Sequence, residues 1–175
     1  MAIKRLISIV RMVLCVLVLG TLAAGCQSEQ DRRDEKLQKA AASITAHGGT
    51  VLAQAYLQDQ EVSFYHDAAQ IRCWGMGTAM NNHPVWLFSR PGFTGSDGVV
   101  CLAIRDPDLQ TQTDRLVFHF QDGTTISVST AGKTAFIVPV PGARHNYEST
   151  SFYDRNDTII FEHRCPTLGS GFEFC

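Results

Sequence analysis

Apolar and polar positions change their period several times along the chain. Met12 to Leu19 (MVLCVLVL) is apolar without a break, whereas Gln27 to Lys39 (QSEQDRRDEKLQK) holds one aliphatic residue in 13 and cannot bury a core. Leu37, Ala40, Ala41 and Ile44 then fall at i, i+3, i+4 and i+7, and Gly48-Gly49 stops the run, so the spacing predicts a helix at about 34–47. From about Glu61, short runs rich in Val, Ile, Phe and Thr are separated by Gly, Pro, Asn and Asp. That punctuation predicts antiparallel strands at 61–66, 69–76, 84–89, 98–105, 115–121, 124–130, 134–140, 148–153 and 158–164. With no long helix between them, the expected class is mainly β: a small antiparallel β-sandwich or barrel with one N-terminal helix and a single core.

One hairpin is legible to the residue. In LVFHFQDGTTISVST a two-residue turn at Asp122-Gly123 mixes apolar and polar side chains on both faces. A three-residue loop, Gln121-Asp122-Gly123, instead pairs Phe118 with Ile126 and Leu116 with Val128, and puts Gly123 where a left-handed residue is wanted. This register sends His119 outward beside Val117, Thr125 and Ser127.

The first apolar run has a different meaning. Lys4, Arg5 and Arg11 precede it and Gly20, Ala23, Ala24 and Gly25 follow, the basic, apolar and small-residue order of a secretory signal. Met12 to Gly25 is 14 uncharged residues, short of the roughly 20 that span a bilayer as a helix. The segment Leu22-Ala23-Ala24-Gly25-Cys26 resembles the lipobox of bacterial lipoproteins, with Ala23 where the commonest pattern has leucine and Leu22 one place further out. The resemblance implies diacylglycerol on the Cys26 thiol, cleavage before Cys26 and acylation of the new amino terminus. Gln27, in place of the Asp that retains the proteobacterial members of this class on the inner membrane, implies the periplasmic face of the outer membrane in a Gram-negative organism. The expected organisation is a signal peptide over 1–25, a lipidated Cys26 with tether and short helix over 26–49, and a single β-rich domain over 50–175.

Charge narrows the partners. Without residues 1–25 the chain has 12 Lys+Arg against 17 Asp+Glu, a net charge of −5 with His neutral. That balance argues against nucleic acid, which needs a basic stripe, and gives no polybasic patch for anionic lipid. Membrane attachment is therefore expected through the acyl chains of Cys26.

Cys73, Cys101, Cys165 and Cys175 remain in the β region, an even set that in an exported chain reads as two disulfides. Of the possible connectivities, Cys165 with Cys175 closes PTLGSGFEF locally and leaves Cys73 with Cys101. Zinc spacing is absent, and no metal or cofactor is expected.

Catalytic patterns are equally sparse. There is no Gly-x-Ser-x-Gly elbow and no His-Glu-x-x-His, and the histidines are scattered. Asp154, Asn156 and Asp157 read as turn chemistry, as does Asp106-Pro107-Asp108, and no catalytic residue is assigned. Two segments carry the aromatic and Arg anchors that interfaces favour: Met80 to Asp97 with Trp86, Arg90 and Phe93, and Pro139 to Glu148 with Arg144, His145 and Tyr147. The competing readings are that Trp86 alternates into the core and that the second segment is a connector. Pro141 to His145 is similar to the inhibitory loop of lipid-anchored lysozyme inhibitors in Gly142 alone, and no site follows from it. The expected function is a non-enzymatic binding or inhibitory module, lipid-anchored in the bacterial envelope, with an envelope or secreted protein as partner. A structural or assembly component of the envelope and a hydrolase are the alternatives.

Overall fold

The uninterrupted apolar stretch GVVCLAI finds its reason in the layer it occupies. The computed structural model describes residues 29–57, 59–80, 83–90, 97–141, 147–164 and 173–174. The chain divides into two units, Met1–Lys39 and Ala40–Cys175. Among the described residues helix α1 covers 29–46 and so includes five residues before the predicted helix. Arg33 bonds Glu29 at 2.6 Å and Lys39 bonds Glu35 at 2.7 Å, i,i+4 pairs that extend it into the charged stretch. It stops where the glycines predict, with Gly48 at φ 79° and the Gly49 amide donating to the Ile44 carbonyl.

The β unit contains β1 (Thr50–Leu57), β2 (Gln60–His66), β3 (Gln70–Cys73), β4 (Met76–Ala79), β5 (Val85–Arg90) and β6 (Gly98–Ile104). After the short helix α2 (Pro107–Gln112) come β7 (Arg115–Phe120), β8 (Thr125–Ser129), β9 (Ala135–Val140), β10 (Tyr147–Tyr153), β11 (Ile159–Arg164) and β12 (Glu173–Phe174). They form three antiparallel sheets, ordered β1-β2-β3-β4, β12-β5-β6-β9 and β11-β10-β7-β8.

The sandwich expectation holds with one layer more than a simple pair, because the second sheet is covered on both faces. Val85, Leu87, Val100, Leu102, Phe136 and Val138 pack with Leu116, Phe118, Tyr147 and Phe152 of the third sheet. The alternate residues Trp86, Phe88, Val99, Cys101 and Ala103 pack with Val62, Phe64, Ile71 and Cys73 of the first. The expected single core is thus two cores sharing one sheet. A strand buried on both faces has no polar alternation, and every residue of β6 is buried. The Cys73–Cys101 disulfide ties β3 to β6 across the second core, with Cα atoms 6.4 Å apart. Cys165 and Cys175 lie outside the described residues.

The 115–130 hairpin takes the predicted register: Leu116 opposes Val128, Phe118 opposes Ile126, and Gly123 is left-handed at φ 84°. Four local expectations are corrected. The run 69–76 is two strands, since Trp74 and Gly75, at φ 47° and 77°, make a two-residue turn that returns the chain on itself. Asp106 is a helix N-cap, accepting the Leu109 amide at 2.8 Å with Pro107 in the first turn of α2. β1 was not foreseen; its Ala-rich TVLAQAYL is half-buried at a sheet edge and does not alternate. Glu173 and Phe174 pair with β5, in a segment where no strand was predicted.

Candidate functional site

Three sheet edges meet on one side of the β unit. Among the described residues β1, β8 and β9 each end their own sheet, and between them lies a groove of about 590 Å³. Its walls include Leu52 from β1, Val128 and Ser129 from β8, and Ala135, Ile137 and Pro139 from β9. Lys133 is the one charged residue of the lining among the described residues. The volume falls within the range of ordinary ligand clefts.

Hydrogen-bond phase determines which backbone groups face this groove. The Ile104 amide donates to the Thr134 carbonyl at 2.8 Å, and Ile104 and Thr134 are opposite in the β6–β9 register. In an antiparallel ladder bonded pairs alternate, so Phe136, Val138 and Val140 bond to β6 while Ala135, Ile137 and Pro139 turn their backbones outward. Pro139 is tolerated in the strand because its missing N–H falls on the unpaired side. On β8 the Phe120 amide donates to the Thr124 carbonyl, which by the same alternation turns Thr125, Ser127 and Ser129 outward. The β8–β9 connection is tight: Ala131 and Gly132 are left-handed at φ 44° and 78°, and the Lys133 amide closes the turn on the Thr130 carbonyl.

The residues singled out from sequence do not assemble into one surface. Trp86 is a correction: only 6% exposed, it lies in the second core, with the Arg105 guanidinium 4.0 Å above its ring and His66 beside it. β5 is an inner strand of a sheet covered on both faces, so both its side-chain sets are buried. Tyr147 is a second correction, 1% exposed. Its hydroxyl shares a 2.9 Å hydrogen bond with Thr150 Oγ1 and donates to the His163 carbonyl at 3.3 Å. A bulge between Tyr147 and Ser149 shifts the side-chain phase and turns Tyr147 inward. Arg90 is half-buried and stacks on Trp74, 4.4 Å from the ring centroid. Phe93, Arg144 and His145 lie outside the described residues, as does Cys26.

Two polar groupings bear on the enzymatic alternative. On the outer face of the third sheet His119 Nε2 lies 2.9 Å from Ser151 Oγ. No carboxylate orients the other ring nitrogen among the described residues, and Glu162, opposite Ser151, is held by Arg164 at 3.1 Å. A nucleophile–base pair without its third member has no fixed tautomer. At the other end, the Asp154 carboxylate accepts the Thr158 and Asn156 amides at 2.9 and 2.8 Å, bonds that hold it below the ordinary carboxylate range. Asp157 pairs with Arg115 at 2.6 Å. These oxygens close a turn, and no group of three or more metal-ligating side chains occurs among the described residues.

Sequence reasoning passed over the groove because its lining is apolar, small or singly charged. The one available signal was Pro139 within a strand pattern, which marks an edge. Compared with known proteins, the chain matches no family, no curated protein and no solved structure.

Proposed function

We propose that this chain is a lipid-anchored bacterial envelope protein whose β unit binds a partner protein and performs no chemistry of its own. Cys26 is the anchor, acylated after cleavage at Gly25, and Gln27 directs it to the periplasmic face of an outer membrane. The Cys73–Cys101 bridge supports an oxidising compartment, since such bonds persist outside the cytosol. The observation that carries the binding reading is the groove between β1, β8 and β9, where open backbone groups, apolar walls and one cation converge. Its partner is an envelope or secreted protein; the net charge of −5 outside residues 1–25 disfavours nucleic acid.

The test is affinity capture by the full chain from detergent-solubilised envelopes, with a Cys26→Ala chain alongside. A stoichiometric partner retained by both forms supports a binding unit separable from its anchor. A partner retained only by the acylated form favours a structural role at the membrane. The hydrolase alternative has one favouring observation, the His119–Ser151 pair. Turnover of a peptidoglycan, lipid or peptide substrate that disappears in Ser151→Ala would establish it against the binding reading.

A further inference from the structure

We propose that the outward edge of β9 captures a short extended peptide bearing a carboxylate, which adds to the second sheet as a further strand and sets its anion against Lys133. The inference rests on the binding-module reading and specifies the chemistry of the partner.

An open edge presents rows of N–H and C=O groups, and a strand-forming peptide is the ligand that matches their spacing. On β9 the outward residues are Ala135, Ile137 and Pro139. They provide two donors and three acceptors, since proline lacks the N–H. An added strand therefore finds its pairing alongside Ala135 to Ile137 and loses it at Pro139. This limit disfavours a long partner strand, including one from a second copy zipped along the whole edge, and suits a short peptide. β9 has six residues, about 20 Å at 3.3–3.4 Å per residue, which bounds the length of the peptide.

Side chains and charge narrow the ligand further. Leu52 and Val128 provide apolar walls on either side of the edge, which favours apolar side chains on the peptide. Lys133 sits at the end of the edge next to Ala135, is exposed, and has no ion pair among the described residues. No acidic residue among the described residues shares the lining, so a glutamate or a terminal carboxylate is the complementary group. An exposed ammonium contributes little to total affinity but discriminates the sign of the ligand.

The experiment is fluorescence anisotropy of the full chain in detergent micelles with a labelled hexapeptide of alternating valine and threonine ending in a free glutamate. The comparison peptides are the same sequence ending in lysine amide and one N-methylated at alternate amides. Binding of the acidic peptide about fivefold tighter than the basic one, reversal of that order in Lys133→Glu, and at least tenfold loss on N-methylation are expected. Equal binding of the acidic and basic peptides, an unchanged order in Lys133→Glu, full binding of the methylated peptide, or no binding of any of the three overturns the inference. Self-association that the acidic peptide does not displace assigns the edge to a second copy and likewise overturns it. An envelope partner captured equally by wild type and Lys133→Glu removes the edge inference and leaves the binding-module reading standing.

Discussion

Single side chains in the third sheet have consequences that can be measured. Thr150 is fully buried and shares its hydroxyl bond with Tyr147. Tyr147→Phe keeps the ring and leaves Thr150 Oγ1 short of that partner, at a cost of about 1–3 kcal/mol in urea denaturation. His163 lies behind the same hydroxyl. Burial, and after it the charge of His83, holds the His163 imidazole below its ordinary 6.5. Its Nε2 is buried with no hydrogen-bond partner among the described residues. The unfolded chain therefore takes up this proton more readily than the folded one. Stability is complete above pH 6.5 and declines as the pH falls from there toward the folded value. His163→Gln should flatten that decline in thermal melts taken between neutral and mildly acidic pH; an unchanged slope would place the titration elsewhere. Trp86→Ala should cost about 3–5 kcal/mol, as for a core aromatic, which makes it a stability variant rather than a binding one.

At the scale of elements, the layers depend on local devices of known size. The Cys73–Cys101 bridge closes a 28-residue separation between β3 and β6, and Cys73→Ser with Cys101→Ser should lower stability by about 2–4 kcal/mol. Peptide mapping without reductant should find the Cys73–Cys101 link and, by the sequence argument, one between Cys165 and Cys175. Asp106→Ala removes the N-cap of α2 and should cost about 0.5–2 kcal/mol, read by chemical denaturation. The same devices explain what could be read in the sequence. β6 was legible as a continuous apolar run, and the β7–β8 hairpin because one loop length alone gathers Leu116, Phe118, Ile126 and Val128 on one face. The β3–β4 turn was not, since Trp at a left-handed position carries none of the Asn-Gly signal such turns usually show. Tyr147 was misplaced because a bulge changes side-chain phase without marking the sequence. The groove was hidden for a further reason: an edge is defined by which strand is missing beside it, and period-2 patterns do not encode sheet order.

At the scale of the whole molecule, we propose a protein held at a membrane through Cys26 that offers a sheet edge to its partner. No helix among the described residues is long and apolar enough to cross a membrane, and the proposed attachment resides in Cys26. Mass spectrometry of the mature amino terminus should find an acylated Cys26, and a free thiol in an uncleaved chain would reject the anchor. The binding claim is tested most directly by photo-crosslinking in intact cells, with a benzophenone amino acid at position 52, beside the open edge. One discrete adduct between the full-length protein and an envelope or secreted protein, diminished in Lys133→Glu, is the expected result. Adducts absent, or formed only between copies of this chain while the protein remains folded and anchored, would contradict it.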